Sequence, residues 1–497
     1  MRVARSILRQ WLRHPFRVFA VDDFRQWRGA SLYLVALHLA KAVERVSNRD
    51  RIGIFLPTSG MSASAILAGW LLGRTVVPLN YLLSREELEY IIEDAELDVV
   101  ISVGPMLERF GSMPGGVEVI RMDQIGFGGV PPLRRLVRRP EDFLAVLLYT
   151  SGTSGRPKGV MLTGKNLHAN IEQCIEWARF DKRDGFIGVL PQFHSFGLTV
   201  TTLLPMAIGC RVYYTAKFKV TRVLELLREY RPTAMIAIPS MYNALLQAKT
   251  ATPEHFSQLR YIVSGGEPLP DAVYDGFRDR FNVRICEGYG LTETAPVTNW
   301  TLPEYERRGT VGQTLPGVEE VIVDEEGRHL GPGQDGEIRI RGENVMAGYF
   351  KLPEATAAVF DDDGYFRTGD MGQMDEKGFL SITGRIKEML IISGENVFPR
   401  EMEEVLNRHP SVSDAAVIGQ ADPSRGEVPI AFVELLEGAS IDPAEVRAFC
   451  REILPPYKVP REIRVLDALP RNPTGKIQRR ALIPMLSQGD GKGGSGV

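Results

Sequence analysis

Between Arg51 and Val103 the chain alternates two textures. Short, nearly continuous apolar runs (Arg51–Leu56, Thr75–Leu79, Asp98–Ser102) are separated by stretches with helical patterning (Ser62–Leu72, Ser84–Ala95). A run buried on both faces needs no polar alternation, so these runs read as strands of a parallel sheet joined by crossover helices. Ser84 followed at the third position by Glu87 is a capping-box spacing, which predicts that the second helix starts there. The rhythm returns with a helix over Val220–Tyr230 and strands over Ala234–Ile238 and Arg260–Ser264. The predicted fold class is α/β, with a large multi-layer N-terminal domain.

Past residue 310 the pattern shortens to Val318–Val323, Glu337–Arg341 and Phe379–Thr383 between Gly, Pro and Asp turns, which predicts a β subdomain. After Gly384-Arg-Ile-Lys-Glu388 a small α+β domain is expected. Its helices fall over Pro399–Arg408 and Pro443–Leu454, and its strands over Val412–Gly419 and Ile430–Leu436. Residues 487–497 read as a flexible tail rich in Gly and Ser. At the start, Arg2, Arg5, Arg9, Arg13 and Arg17 recur every three or four positions with no acid among them. Two readings stay open: an ordinary first helix, or a basic amphipathic segment that rests on an anionic membrane or serves transit.

A chain of 497 residues exceeds what one core organises, so two or three folding units are expected. Hydrophobic residues at 44% and charged residues at 24% exclude global disorder and a membrane bundle. Lys plus Arg at 59 against Asp plus Glu at 62 leaves a net charge of −3, without the footprint of a nucleic-acid binder. Cys174, Cys210, Cys286 and Cys450 lack metal-ligand spacing and read as reduced thiols of a cytoplasmic protein. No apolar run approaches the ~20 residues that span a bilayer.

Candidate chemistry begins at Tyr149-Thr-Ser-Gly-Thr-Ser-Gly-Arg-Pro-Lys-Gly-Val160, which follows the apolar run Leu144–Leu148 and precedes an expected helix. Its glycines, hydroxyls and Lys158 suit a polyphosphate, and they equally suit a surface turn. It is not the GxxxxGK[ST] loop, because Lys158 lies between Pro157 and Gly159. Further segments are Pro191-Gln-Phe-His-Ser-Phe-Gly197, Ser264-Gly-Gly-Glu-Pro-Leu269, Glu287-Gly-Tyr-Gly-Leu-Thr-Glu293, Tyr365-Phe-Arg-Thr-Gly-Asp370 and Asn472-Pro-Thr-Gly-Lys-Ile477. Taken singly, each has a plain alternative. His194 can be a loop histidine, Asp370 a turn cap, and Lys476 and Lys387 solvated or ion-paired lysines.

Taken in order, these segments resemble the adenylate-forming family of acyl-CoA synthetases, adenylation domains and firefly luciferase over nearly the whole chain, with Ser154 in place of the commoner Thr. The resemblance implies an AMP-binding N-terminal domain over 1–383, a hinge over 384–388 pivoting at Lys387, and a mobile C-terminal domain over 389–486. It implies that Thr150, Ser151, Gly152, Thr153, Ser154, Gly155 and Lys158 hold the leaving phosphates. Gly265, Gly266 and Glu267, with Glu287, Gly288, Tyr289 and Gly290, would hold adenine, and Asp370 with Arg385 the ribose. Glu293 would hold Mg²⁺ with Thr292 near the phosphate, His194 would gate the acyl pocket, and Lys476 would reach the α-phosphate and the carboxylate.

The implied activity is ATP-dependent ligation of a medium- to long-chain fatty acid to coenzyme A through an acyl-adenylate. The apolar character of Phe193, Phe196, Leu198 and Thr201–Pro205 favours a hydrocarbon. Acyl carrier protein as acceptor, or an acyl-AMP ligase, is the nearest alternative. From another class stands an inactive nucleotide-binding sensor or lipid-surface protein. A cytoplasmic location is expected, with weak peripheral membrane contact through the Arg-rich start.

Overall fold

The apolar runs of the N-terminal half are strands. The computed structural model describes residues 1–108, 111–150, 156–436, 438–471 and 476–486. It orders one six-stranded sheet as Glu118–Arg121, Val99–Ser102, Arg51–Phe55, Thr75–Pro78, Leu144–Thr150 and Lys158–Thr163. The first five run parallel, and the last pairs antiparallel with Leu144–Thr150. Helix Arg85–Asp94 starts at Ser84, whose hydroxyl accepts from Glu87 N while the Glu87 carboxylate accepts from Ser84 N. Its inner residues Leu88, Ile91 and Ile92 pack with Phe55, Val77 and Leu147. Such a cap contributes about 1 kcal/mol.

A nine-stranded sheet is ordered Gln313–Thr314, Val297–Trp300, Cys286–Gly290, Tyr261–Gly265, Ala234–Ala237, Gly185–Gly188, Arg211–Tyr214, Val18–Val21 and Gln26–Arg28. The strands from Cys286–Gly290 through Val18–Val21 are parallel. A four-stranded sheet follows, ordered Val318–Val323, Gly336–Gly342, Phe366–Met374 and Leu380–Arg385. The last sheet is built from Leu390–Ile392, Glu395–Val397, Val412–Asp422, Gly426–Leu435 and Glu462–Leu466. Helices Pro399–Leu406 and Pro443–Ile453 close its core with Met402, Leu406 and Val446 against Val417 and Ala431. By contacts the chain forms two units. The first is Met1–Gly266, Arg280–Glu320 and Ile340–Phe366; the second is Glu267–Asp279, Val321–Arg339 and the residues from Arg367 onward.

One expectation changes. The Gly-rich segment 149–160 leads into a strand, Lys158–Thr163, and the helix Gly164–Ala178 begins only at its cap Thr163. Val160 and Leu162 are buried and pair with Leu148 and Val146, so this apolar stretch satisfies its backbone in the sheet. The Arg-rich start forms helix Arg2–Arg13 with Val3, Ala4, Ile7 and Trp11 buried, which makes it a first helix of the domain. Its arginines form the outward stripe. Among the described residues no helix is long and apolar enough to cross a membrane. All four cysteines are unpaired and buried, and burial pushes the Cys174 and Cys286 thiols up to about 12.

Candidate active site

In the first unit the motif residues gather at the carboxyl ends of parallel strands, the edge where open α/β sheets take ligands. Strands Tyr261–Gly265 and Cys286–Gly290 lie side by side with Gly265 opposite Gly288. A side chain is barred there by close approach. A Cβ on Gly290 would sit 1.9 Å from the Pro296 carbonyl oxygen, and one on Gly265 would sit 3.1 Å from the Phe196 ring. Tyr289 is half-buried and pairs with Asn299 on the neighbouring antiparallel strand. The Glu287 carboxylate is held by Arg308, and its backbone N–H donates to Thr301 Oγ1 at 2.7 Å.

His194 caps the short helix Ser195–Leu198, its Nδ1 accepting from Phe196 N at 3.4 Å. Phe193, one residue before, packs edge-on against Tyr81 with ring centroids 4.8 Å apart. Ser195 Oγ lies 3.1 Å from Thr292 Oγ1, so the helix after His194 touches the segment carrying Glu293. The chain then passes through a π-helical turn, Thr199–Leu203. This stretch is more polar inside than its sequence suggests. Thr202 Oγ1 accepts from Gln192 Nε2 at 3.0 Å, and Thr199 Oγ1 is buried without a hydrogen-bond partner among the described residues.

Thr150 and Lys158 face each other across the hairpin of Leu144–Thr150 and Lys158–Thr163. Ser151, Gly152, Thr153, Ser154 and Gly155 lie outside the described residues. The segment 346–350 is laced to the second strand of this hairpin: Phe350 N donates to Gly159 O at 2.7 Å and Met161 N to Gly348 O at 3.0 Å. That lacing sets Tyr349 between two motif residues. Its hydroxyl donates to Glu293 Oε1 at 3.0 Å, and the Lys158 ammonium sits 5.0 Å from its ring centroid. Burial, reinforced by the Glu293 carboxylate, pushes the Tyr349 phenol up, so it stays a donor. Met346 N also donates to the Glu293 carbonyl at 2.7 Å. Sequence reading assigns Tyr349 no role. Arg308 gave no sequence signal at all.

In the second unit Asp370 is 2% exposed and takes Arg385 Nε at 2.7 Å on Oδ1. The pairing of Phe366–Met374 with Leu380–Arg385 places the two opposite each other. Lys387 lies exposed in the turn Ile386–Glu388. Glu267 is half-buried, and burial raises its carboxyl while the ammonium of Lys476 opposes the rise. Residues 472–475 of the lysine motif lie outside the described residues. Three positions after Lys476, Arg479 binds both Glu403 oxygens, at 2.8 and 2.7 Å, and reaches Glu388 at 3.4 Å. Neither Arg479 nor Glu403 was singled out from sequence, because an ion pair between distant segments leaves no spacing to read.

The second unit also holds a cavity of about 640 Å³ lined by Arg425, Arg447, Arg451 and Arg461, with Tyr457 and Pro429 among its walls. Its one acidic lining residue, Asp422, pairs with Arg461 at 2.9 Å. Arg447 Nε is buried and makes no hydrogen bond among the described residues. This donor set suits a polyanion.

The family model described as AMP-binding enzyme matches residues 7–350, and AMP-binding enzyme C-terminal domain matches 401–476. A long-chain-fatty-acid–CoA ligase of Bacillus subtilis is 33% identical over 478 residues, covering 87% of this chain and 85% of the relative. Sulfoacetate–CoA ligase of Cupriavidus necator is 33% identical over 454 residues, covering 89% of each. The crystal structure of ATP-bound MatB from Rhodopseudomonas palustris superposes with a TM-score of 0.90 at 31% identity, over 97% of this chain and 98% of that one.

Proposed function

Because the chain belongs to the AMP-binding enzyme family and is an AMP-forming acid–thiol ligase, we propose that it activates a medium- to long-chain fatty acid and passes the acyl group to coenzyme A. The observation that carries the nucleotide half is the cluster of Lys158, Tyr349, Glu293 and Thr292 beside the glycine-lined strand ends. A carboxylate oxygen attacks the α-phosphorus of ATP, the bond to the bridging oxygen breaks, and pyrophosphate leaves. Anion meets anion, so catalysis is mainly neutralisation and alignment. Lys158 would meet the leaving phosphates and Lys476 the reacting α-phosphate and carboxylate. Asp370 and Arg385 would fix the ribose, and His194 would gate the acyl group.

Among the described residues no cluster of three or more His, Cys, Asp or Glu could cage a metal. A single carboxylate beside a hydroxyl fits Mg²⁺, which keeps waters and takes substrate phosphates as ligands. Glu293 would hold the ion with Thr292 near the phosphate, and it would supply charge neutralisation on the polyphosphate. In the second half-reaction a thiolate attacks the acyl carbon and AMP departs. The arginine-lined cavity supports coenzyme A as that thiol's carrier. Coenzyme A brings a 3′-phosphate and a diphosphate, whereas the arm of an acyl carrier protein brings one phosphodiester.

Pyrophosphate release from purified protein with Mg·ATP tests this reading across short, medium and long saturated acids and an aryl acid. Release that peaks with the longer acids, and thioester that forms with coenzyme A, is the expected result. No acid-dependent release overturns it. A maximum with the aryl or short polar acid selects the second reading, a functionalised carboxylic acid, which the buried Gln192–Thr202 contact favours. Thioester formed only on acyl carrier protein would reassign the acceptor.

A further inference from the structure

Exposed large apolar side chains are unevenly spread. Among the described residues none occurs from 138 to 304, yet Phe127, Val130, Leu133 and Val137 follow one another at 42, 79, 76 and 41% exposure. They lie on one connecting segment, 125–140, which carries Arg134, Arg135, Arg138 and Arg139 and no acid. An apolar patch of this kind on a folded surface marks an interface.

The segment is fixed in place on the first unit. Tyr33 donates to the Arg134 carbonyl at 3.1 Å, Phe127 packs edge-on with His38 at 5.5 Å, and Arg134 pairs with Glu44, all on helix Gly29–Val46. Its far end meets the first helix, where the Met1 amine donates to Arg139 O at 3.3 Å and Arg2 pairs with Glu141 at 3.6 Å. That helix continues the surface with Arg5, Arg9 and Arg13, flanked by Leu12 and Phe16 at 52 and 78% exposure. Glu44 and Glu141 are thus engaged. Among the described residues Arg5, Arg9, Arg13, Arg135 and Arg138 have no acidic partner.

We propose that this surface docks the protein on an anionic phospholipid bilayer, with the arginines at the headgroup phosphates and Val130 and Leu133 reaching the acyl boundary. The apolar face of the first helix does not insert, since Val3, Ile7 and Trp11 are inside the domain. Charge and apolar tips share one segment, which matches a surface that is charged at its face and apolar just beneath. A nucleic acid would use the arginines and leave Val130 and Leu133 in water. The inference does not depend on which acid is activated.

Sedimentation of the full chain with phosphatidylcholine vesicles, and with vesicles containing phosphatidylglycerol, tests it. Binding is expected only to the anionic vesicles at low salt, falling steeply as salt is raised. The double substitution Arg135→Glu, Arg138→Glu should lower partitioning roughly tenfold or more. Leu133→Asp should lower it too, with the melting midpoint and the ligation of a water-soluble acid unchanged in both variants. Equal binding to zwitterionic vesicles, undiminished binding of both variants, or binding to an acidic carrier protein but not to vesicles would overturn the proposal.

Discussion

The two units hold their site residues by different physics. In the first, position is set by backbone: Gly290 lies against Pro296, Gly265 faces Phe196, and 346–350 is laced to 159–161. In the second, position is set by charge: Asp370 with Arg385, and Arg479 with Glu403 and Glu388, while the ammonium of Lys476 acts on the Glu267 carboxyl through its field. Backbone lacing cannot be re-aimed without unpairing a strand, whereas a side-chain ion pair can trade one partner for another with the backbone pairing intact. A rigid cradle for the nucleotide and a re-aimable carrier for the lysine is what the proposed two-step reaction requires.

The hardest break of this contrast is Lys476→Ala. Adenylate formation, followed by pyrophosphate exchange, should fall by about two to three orders of magnitude, as expected for removal of one preorganised charge. Conversion of supplied acyl-adenylate to thioester should persist. Survival of both half-reactions would mean that Lys476 is a surface lysine. Next comes Arg479→Ala, which strips the guanidinium from Glu403, a carboxylate 8% exposed. Breaking a buried pair costs about 3–5 kcal/mol, so calorimetry should show an early transition for the second unit. An unchanged melt would show that charge does not hold that unit's site.

The same contrast explains what could be read in advance. The parallel strands and the Ser84 cap were legible because apolar continuity and capping chemistry are local. The glycine positions were legible as motifs, and close approach now gives the reason at Gly290 and Gly265. The strand after the Gly-rich segment was missed because Val160 and Leu162 also suit a helix start; only their partners Leu148 and Val146 decide between the two. Tyr349, Arg308 and Arg479 were missed because each acts on a residue far along the chain, and a long-range pair has no period. The arginine stripe was legible, but its role was not, since the packing of Trp11 decides which face is free.

A buried carboxyl interrupts the backbone logic of the first unit and sharpens the contrast. Glu320 Oε2 accepts from Asn299 Nδ2 at 2.8 Å, behind Tyr289, and Oε1 is buried with no hydrogen-bond partner among the described residues. Burial pushes this carboxyl up from 4.5 to about 7, with the hydrogen bonds from Asn299 and Thr298 opposing. The fold favours the protonated form, so its contribution to stability is present below the ordinary carboxylate value and lost as pH rises toward 7. Glu320→Gln should remove that slope, worth up to about 3 kcal/mol between the two values. Thermal melts at several pH values check this, and parallel profiles for the two proteins would sink it.

The smallest effect separates ring from hydroxyl at the junction of two motifs. Tyr349→Phe keeps the aromatic face under Lys158 and deletes only the donor to Glu293 Oε1. A hydrogen bond to a charged group is worth about 1.5–3 kcal/mol, and here water can replace part of it. Adenylation should therefore slow about tenfold, the melting midpoint should hardly move, and the Mg²⁺ concentration for half-maximal rate should rise. Tyr349→Leu removes the ring as well and should weaken ATP binding further. If the Phe and Leu variants behave alike, the ring is idle and Lys158 is placed by the hairpin alone. If the Phe variant matches the parent in Mg²⁺ dependence, Glu293 is oriented by its backbone bond from Met346, and even this side-chain contact yields to the lacing that governs the rest of the unit.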